Sequence, residues 1–293
     1  MTAKKRKRLQ FEDKLPLPIR FIIWFFLFFT IIVMGIPMLN VLAVSFSDRV
    51  SSDSPGLVLF PNPFSVDGYD FIWNNRNLWQ PFLVTLYVSV TSTIIHVFLS
   101  SVAGYVLIHK EMPLRNILTT FIMLTMTVPS ELTLISTYEI YRQLGLINTY
   151  AALIISGAAG GFSILMMRNY FMGVPQSLAE ASKIDGASAF RVFRSVYIPL
   201  AIPGVMTIGT LNFIGRWNNI THVITVISDQ KKYTLPVVLK NILGDPASTS
   251  GTAYVFNNAK MAAVALTAVP LVLLYFTTQK FFSSGVMLGA TKE

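Results

Sequence analysis

Long stretches without a charged side chain constrain this sequence more than any other feature. The first runs from Phe21 to Val44, 24 residues, and a helix needs about 20 apolar residues to cross the hydrocarbon core of a bilayer. Only 13% of the residues are charged, whereas a soluble domain carries about 25%. We therefore predict an all-α protein that is embedded in a membrane and contacts lipid.

Five further stretches of this kind bring the prediction to about six transmembrane helices. They lie at residues 82–108, 117–138, 149–172, 201–227 and 261–282. The third contains Glu131 after Pro129, and the fourth contains Gly157, Gly160 and Gly161. Membrane helices tolerate proline and glycine where neighbouring helices satisfy the backbone, so both stretches are kept as predicted spans.

The basic N-terminus, residues 1–20, predicts the orientation of the chain. A cleavable secretory signal has an apolar region of about 7–15 residues, so the 21–44 run is too long and is expected to remain as the first helix. Lysine and arginine accumulate on the cytoplasmic side of membrane proteins. With the N-terminus inside, the inside segments hold 15 of these residues and the outside segments hold 7. Both termini, including the tail 285–293, are therefore predicted to be cytoplasmic, and the net charge of +9 is attributed to this asymmetry rather than to nucleic acid.

Two of the predicted outside segments are long. Residues 45–81 hold several proline and glycine residues together with Trp73 and Trp79, which is typical of an ordered cap with interfacial aromatic side chains. The second segment, 228–260, includes the small-residue turn 244–251, which should protrude from the membrane.

The composition also excludes several classes of site. The chain has no cysteine, and His96, His109 and His222 lie in separate segments, so we expect no metal site. No G-x-x-x-x-G-K-[ST] phosphate loop occurs, and nucleotide chemistry would have to come from another chain. The sequence does not predict an enzyme.

The longest inside segment, residues 173–200, has a pattern of its own. Leu178, Ala181 and Ile184 share one helical face, Asp185-Gly186 interrupts the run, and Phe190, Phe193 and Tyr197 follow on a second face. Spacings of three and four residues indicate amphipathic helices. We therefore predict two short helices at an angle, at the inner membrane surface. The pattern alone leaves open whether they rest on lipid or bind a partner.

A resemblance decides between these alternatives. The residues Glu180-Ala181-Ser182, Asp185-Gly186-Ala187, Val196, Ile198 and Pro199 resemble the EAA motif of permease subunits from binding-protein-dependent ABC importers, with its spacing intact. Ser182, Val196 and Ile198 replace the family's alanine, isoleucine and leucine. These departures are conservative.

The resemblance extends over about residues 140–293. Four further segments are similar to sugar permeases of the MalG type: Leu144 to Ile154, Gly215 to Asn218, Tyr233 to Leu239, and Gly285 to Ala290. The first half of the chain agrees mainly in hydropathy. The resemblance implies a type I ABC importer permease fold, with a permease core at 82–284 that follows the first helix and the 45–81 loop.

The resemblance also implies a set of partners. The EAA segment would be a coupling segment that docks on a cytoplasmic ATPase. The residues implied in ATPase coupling are Glu180, Ala181, Ser182, Asp185, Gly186, Ala187, Phe190, Phe193 and Pro199. The expected assembly contains a second permease, which makes a heterodimer, two ATPase subunits that bind ATP and magnesium, and an external solute-binding protein. This chain would bind no cofactor itself and would lie in a bacterial inner membrane. The substrate would be a carbohydrate, and the details are most similar to permeases for oligosaccharides and polyuronides such as alginate or pectic fragments.

Polar side chains inside the predicted spans are candidates for the substrate pathway, because such groups are costly in lipid and tend to face a protein interior or a water-filled cavity. The candidates are Glu131, Asn212, Arg216, Trp217, Asn218 and Asn219. The asparagines also suit hydrogen bonds between helices, and Trp217 suits packing at an interface. Glu131 and Arg216 would either form an ion pair or serve in gating. His96 is expected to bond a neighbouring helix.

A different class of protein stays open at this point. An ion-coupled secondary transporter or a channel would also be all-helical, but such proteins often show internal repeats and several mid-membrane charges. Neither feature is clear in this sequence.

Overall fold

A computed structural model of the chain describes residues 16–75, 78–244 and 255–289. Within these ranges the regular elements are helices, apart from an isolated antiparallel bridge between Ser47 and Phe64. The described residues form two compact units, one of 16–75 with 255–266 and the other of 78–244 with 267–289. The prediction of an all-α chain is confirmed. The basic cluster Lys4 to Arg8, turn residues 245–251 and the last four residues lie outside the described residues.

The first unit begins with α1, Leu17–Ser45. This helix has 29 residues, which is about 43 Å at 1.5 Å per residue and exceeds a hydrocarbon core of about 30 Å. Its buried residues are confined to its last turn, Ala43, Val44 and Ser45. An apolar helix that leaves the rest of its surface uncovered fits the predicted first span.

The segment after α1 is ordered over residues 46–75, and its predicted place on the external side stays a prediction. It contains the short helices α2 (Arg49–Ser52) and α3 (Asp67–Asn75). Phe46 stacks on Phe64, and the Asn258 side-chain amide donates to the Ser47 carbonyl at 3.1 Å. A Cβ atom on Gly68 would lie 2.8 Å from the Asn258 carbonyl group, so a glycine is required where these two segments of the unit meet.

The second unit contains most of the helices. The first five are α4 (Trp79–Val106), α5 (Arg115–Thr125), α6 (Ser130–Gln143), α7 (Tyr150–Ile155) and α8 (Gly161–Met172). Next come α9 (Gln176–Ile184), α10 (Ala189–Val192), a π-helical turn at Phe193–Tyr197, and α11 (Ile198–Leu200). The chain continues with α12 (Ile202–Trp217), α13 (Thr221–Val226), a 3₁₀ turn at Gln230–Lys232, α14 (Leu235–Gly244) and α15 (Asn257–Gly289). Residues of α15 from Thr267 onward belong to this unit.

The predicted third span, 117–138, is wrong as a single helix. It is divided into α5 and α6, which meet at an angle of 101°. Pro129 lies in the break and has an extended backbone (ψ 134°). Proline has no N–H to continue a helix and disfavours the helical conformation of the residue before it, so the chain turns here.

The predicted fourth and fifth spans are also interrupted. Gly157 has a φ of +70°, a left-handed conformation that ends α7. Within the fifth, α12 ends at Trp217, and the side-chain carbonyl of Asn219 accepts a hydrogen bond from the His222 N–H at 3.0 Å. Such an asparagine caps a new helix start, so α13 begins as a separate element.

Helix α4 packs along both α8 and α12. Small residues make this possible: Ser89, Ser92, Ser100 and Ser101 are buried on α4, and a Cβ on Gly104 would lie 2.8 Å from the Arg168 backbone nitrogen. Small side chains allow membrane helices to approach closely.

Three described helices are long and apolar enough to cross a membrane: α1, α4 and α15 as far as Phe281. Two bent pairs, α5 with α6 and the 189–200 segment with α12, raise the number to five if each pair counts as one span. The described residues therefore do not confirm the predicted count of six.

Candidate functional site

The bent helix pair predicted at 173–200 is present. Helix α9 ends at Ile184, and Gly186 adopts a φ of +78°, which reverses the chain at low cost because glycine has no Cβ. The Ala187 N–H donates to the Ser182 carbonyl at 3.0 Å. The Ser188 hydroxyl then accepts from the Arg191 N–H at 3.3 Å and caps α10. The motif thus encodes a short helix, a glycine turn and a second helix.

Most of the motif's side chains face outward. Glu180 is exposed, and its carboxylate accepts a hydrogen bond from the Gln176 side chain at 2.8 Å. Ala181, Asp185, Gly186 and Pro199 are also exposed, whereas Ser182 and Ala187 are half-buried. Three large apolar side chains beside them are uncovered: Leu178, Ile184 at 86% exposure, and Phe190 at 62%. This is an apolar patch with an acidic group next to it.

Phe193 does not belong to that patch. It is 6% exposed and packs against the rings of Tyr105, Phe171 and Tyr197. The buried ring leaves little apolar area for docking, and the coupling role that the resemblance implies for Phe193 stays a prediction. Its ring points into the core, where it contacts Tyr105 of α4 and Phe171 of α8, while Phe190 stays outside.

A polar cavity of about 820 Å³ lies elsewhere in the second unit. Side chains from α6 and α12, together with residues 218–222, form most of its wall. Five of the six predicted pathway residues are on that wall: Glu131, Asn212, Arg216, Asn218 and Asn219. The structure therefore brings these five residues together, although the helices that carry them are broken. Their role in a substrate pathway stays a prediction.

Arg216 is held at the cavity by the break between α7 and α8. Its Nη1 donates to the Ser156 hydroxyl at 3.0 Å, and a Cβ on Gly157 would lie 2.1 Å from its Nη2. Among the described residues it forms no ion pair with Glu131, although both line the cavity. The alternative of a structural Glu131–Arg216 pair is therefore wrong. Among the described residues the guanidinium is held by neutral groups, and no carboxylate pairs with it.

The asparagines have different surroundings. The Asn212 side-chain carbonyl accepts a hydrogen bond from the Thr93 hydroxyl at 3.2 Å, which joins α12 to α4. The Asn218 side-chain amide donates to the Ile214 carbonyl of its own helix and is exposed. Asn219 is occupied by the cap on α13. Of the three, Asn218 has the most freedom to contact a solute.

Trp217 lies behind the cavity wall. It is fully buried, its indole N–H donates to the Thr267 carbonyl at 3.2 Å, and its ring packs against Phe82 and Phe213. Trp217 therefore packs between helices, which is one of the two roles that the sequence left open for it.

Sequence reasoning missed seven polar residues on the cavity wall: Ser130, Thr133, Thr137, Tyr141, Ser156, Thr221 and His222. The His222 ring meets the Tyr141 ring edge-on at 6.1 Å, and its Nε2 has no hydrogen-bond partner. No local pattern marks Tyr141 or Ser156 as functional. Tyr141 lies outside the predicted spans, and Ser156 lies within a span that was predicted to be continuous. His222 lies close in sequence to the Arg216 to Asn219 cluster, so this closeness could have identified it as a candidate.

His96 makes two polar contacts at the break between α7 and α8. Its Nδ1 lies 2.9 Å from the Gly157 carbonyl oxygen and its Nε2 lies 2.8 Å from the Ser163 hydroxyl. The prediction that His96 bonds a neighbouring helix is confirmed. The described residues contain no group of three or more His, Cys, Asp or Glu side chains arranged around a possible metal ion.

Comparison with known proteins adds to this geometry. Residues 96–287 match the model of a family described as the inner membrane component of binding-protein-dependent transport systems. The chain belongs to this family. Its members are transport permeases rather than enzymes, and they work in general with a second permease, an ATPase and a solute-binding protein. The match favours the importer over the ion-coupled transporter or channel, and the bent pair at 176–192 lies within the matched residues.

Relatives and a solved structure agree with the assignment. The chain is 30% identical over 279 residues to the polygalacturonan/rhamnogalacturonan transport system permease protein YtcP of Bacillus subtilis, covering 92% of this chain and 97% of that one. It is 26% identical to the arabinooligosaccharides transport system permease protein AraQ of Halalkalibacterium halodurans, covering 87% and 90%. The crystal structure of a bacterial ABC transporter involved in the import of the acidic polysaccharide alginate contains a chain with the same fold, with a TM-score of 0.80, 22% identity, and coverage of 96% and 99%.

Proposed function

We propose that this inner-membrane permease subunit passes an acidic oligosaccharide, a fragment of a polyuronide, through its half of an ATP-driven importer. The observation that carries this proposal is the Arg216 guanidinium on the wall of a polar cavity, where no carboxylate of the described residues pairs with it. A guanidinium and a carboxylate form strong, directional hydrogen bonds. The names of two similar proteins refer to polygalacturonan/rhamnogalacturonan transport and to import of the acidic polysaccharide alginate, and both are consistent with this chemistry.

The rest of the cavity suits the neutral part of a sugar. Asn218 and Asn219 offer amide groups, and Ser156 and Thr221 offer hydroxyls. Such groups exchange hydrogen bonds with sugar hydroxyls at little net cost. The cavity therefore combines one fixed cationic group, Arg216, and one carboxylate, Glu131, with several neutral groups.

The same proposal assigns the exposed patch on the bent pair to the ATPase. Leu178, Ile184 and Phe190 would fill a groove on that subunit, with Glu180 at the edge. Exposed apolar groups in a contiguous patch mark protein interfaces. ATP and magnesium would bind to the partner, the second permease would complete a heterodimer, and the termini and the bent pair would face the cytoplasm.

An uptake assay tests the substrate. The complex, isolated through a tag on this chain and reconstituted into vesicles with its binding protein, is given oligogalacturonate or its neutral methyl ester. We expect uptake of the acid, and Arg216→Gln should reduce it tenfold or more, since hydrogen bonds to charged groups contribute about 1.5–3 kcal/mol.

Arg142→Gln is the matched control, because Arg142 is exposed, pairs with Glu139 and does not line the cavity. Equal uptake of the acid and the ester by the parent complex, with no effect of Arg216→Gln, would reject an acidic substrate.

A further inference from the structure

A second, apolar groove in this chain has no assigned role. It has a volume of about 660 Å³ and lies between α4, α12 and α15, closed at one end by residues 190–198. We propose that this groove binds an anionic phospholipid, with an acyl chain along the helices and the headgroup phosphate on Arg194. The proposal does not depend on which solute the importer carries.

The groove and the polar cavity lie on different faces of α12. Asn212, Gly215 and Arg216 line the cavity, whereas Met206, Gly209 and Phe213 line the groove. The groove therefore is not an extension of the solute pathway. Its outer edges are open, with Ile94 exposed by 64% and Phe98 by 55%.

The groove has the shape and polarity of a lipid. On α4 it runs from Thr93 to Ser101, about 12 Å at 1.5 Å per residue, and nearly all of this wall is apolar. Arg194 is the one charged residue among those that line it. It lies at the end formed by the 190–198 segment, beside the polar, exposed helix pair at the predicted membrane surface. A charge at one end and an apolar channel behind it match a headgroup and its chain.

Arg194 is available for this role. Its side chain is exposed, and it forms no hydrogen bond or ion pair with any other residue that the structure describes. No acidic residue lines the groove to compete for it. An arginine near the membrane surface attracts anionic lipid, and its guanidinium fits a phosphate with two parallel hydrogen bonds.

The charge at one end favours a lipid over a protein as the occupant. A helix from a partner subunit would cover the apolar wall equally well, but an apolar helix would leave the Arg194 guanidinium without a counter-charge.

Lipid analysis of the tagged complex tests the proposal. The complex is extracted from the membrane, exchanged into vesicles that contain equal amounts of phosphatidylglycerol and phosphatidylcholine, and purified again, and the retained lipids are quantified by mass spectrometry. We expect the parent to retain phosphatidylglycerol preferentially. Arg194→Gln should lower that preference about fivefold, the effect of one arginine at a membrane surface.

Arg191→Gln is the matched control, because Arg191 is an exposed arginine of the same segment that does not line the groove. It should keep the parent's preference. A parent that retains both lipids equally, or an Arg194→Gln complex that retains as much phosphatidylglycerol as the Arg191→Gln complex, would overturn the proposal.

A photoreactive residue identifies the occupant directly. Benzoylphenylalanine at Met206, on the groove wall, should form its adduct with phospholipid. An adduct with a polypeptide would show that a partner subunit covers the groove and would overturn the proposal, even if Arg194 affects the lipid content.

Discussion

Arg216 is positioned by two neighbouring residues that differ in what they contribute. Ser156 accepts its hydrogen bond, and Gly157 leaves the space in which the guanidinium lies. Neither role follows from residue type alone. Both depend on the break between α7 and α8, which brings the backbone at Ser156 and Gly157 against Arg216 of α12. The charge that faces the cavity is therefore set by a glycine 59 positions away in the sequence.

Gly157→Ala should displace Arg216 and destabilise the complex. The φ of +70° at this position costs an L-residue about 1–2 kcal/mol, and the new methyl group would overlap Nη2. We expect a lower Tm in a thermal-shift measurement and reduced uptake. Gly215→Ala is the control, since its Cβ would meet nothing within 4 Å in the same cavity. Equal Tm values for the two variants would contradict the assigned role of Gly157.

Asn218→Leu should reduce transport while the complex still assembles, because the Asn218 side chain is exposed on the cavity wall and bonds only within its own helix. Asn212→Leu should instead impair assembly, since it removes the bond between α12 and α4. Co-purification of the partner subunits and solute uptake are the two measurements. Loss of assembly in Asn218→Leu would assign that residue to helix packing.

At this scale the sequence was a good guide to which polar residues share a cavity and a poor guide to their partners. Clustering of Asn212, Arg216, Asn218 and Asn219 within eight residues predicted a common site, because they lie on or next to a single helix. The missing Glu131–Arg216 pair and the buried Trp217 depend on contacts between distant segments. Those contacts leave no local pattern.

At the scale of elements, one feature of the helix pair α9 and α10 could be predicted from the sequence and another could not. Its turn was predictable, because a glycine between two amphipathic runs indicates a reversal. The burial of Phe193 was not, because it depends on Tyr105 of α4 and Phe171 of α8, which are distant in the sequence. Pro129 and Gly157 are residue types that often end a helix. The prediction nevertheless kept both spans continuous, because membrane helices tolerate proline and glycine.

Glu180→Lys should uncouple the ATPase from the binding protein. The carboxylate lies on an exposed helix next to the apolar patch, and a reversed charge would repel a basic group on the partner at a cost of several kcal/mol. We expect ATPase activity in the reconstituted complex that the liganded binding protein no longer stimulates.

Glu111→Lys makes the same substitution at an exposed acidic residue of another predicted inside loop and should be stimulated normally. Normal stimulation of Glu180→Lys as well would show that Glu180 only faces water.

Phe193→Ala and Phe190→Ala should separate folding from docking. Phe193 is buried, and its ring contacts those of Tyr105, Phe171 and Phe190; removing a buried phenylalanine costs about 3–5 kcal/mol. Phe190 is exposed apart from its contact with the Phe193 ring at 6.3 Å, so its removal should cost only about 1 kcal/mol while weakening ATPase co-purification. Thermal unfolding and pull-down measure the two effects. A large stability loss in Phe190→Ala would place that ring in the core.

On the scale of the whole molecule, the fold class and family could be predicted from hydropathy and one motif, whereas the number of spans could not. Hydropathy reports how apolar a stretch is, and it is blind to a 101° bend between α5 and α6 or to five non-helical residues between α7 and α8. Such breaks are stable in a membrane only where neighbouring helices satisfy the backbone, as His96 does for Gly157.

The orientation can be measured with reporters. A fusion after Asp185 should report the cytoplasm and one after Gly244 the external side, because lysine and arginine are more numerous in the predicted inside segments. Alkaline phosphatase, active outside, and green fluorescent protein, fluorescent inside, give opposite readouts at each site. The reverse pattern would remove the bent pair from the ATPase side and with it the coupling assignment.

Helix α12 carries the polar cavity on one face and the apolar groove on another, so one helix borders both sites. Thermodynamic linkage makes any coupling between them reciprocal. If α12 rolls when solute binds, the affinity of the groove for its occupant changes by the same factor as that occupant changes the affinity for solute. Bilayer composition would then act as an effector of import, so growth conditions that alter anionic lipid would shift the apparent KM in cells whose transporter content is constant.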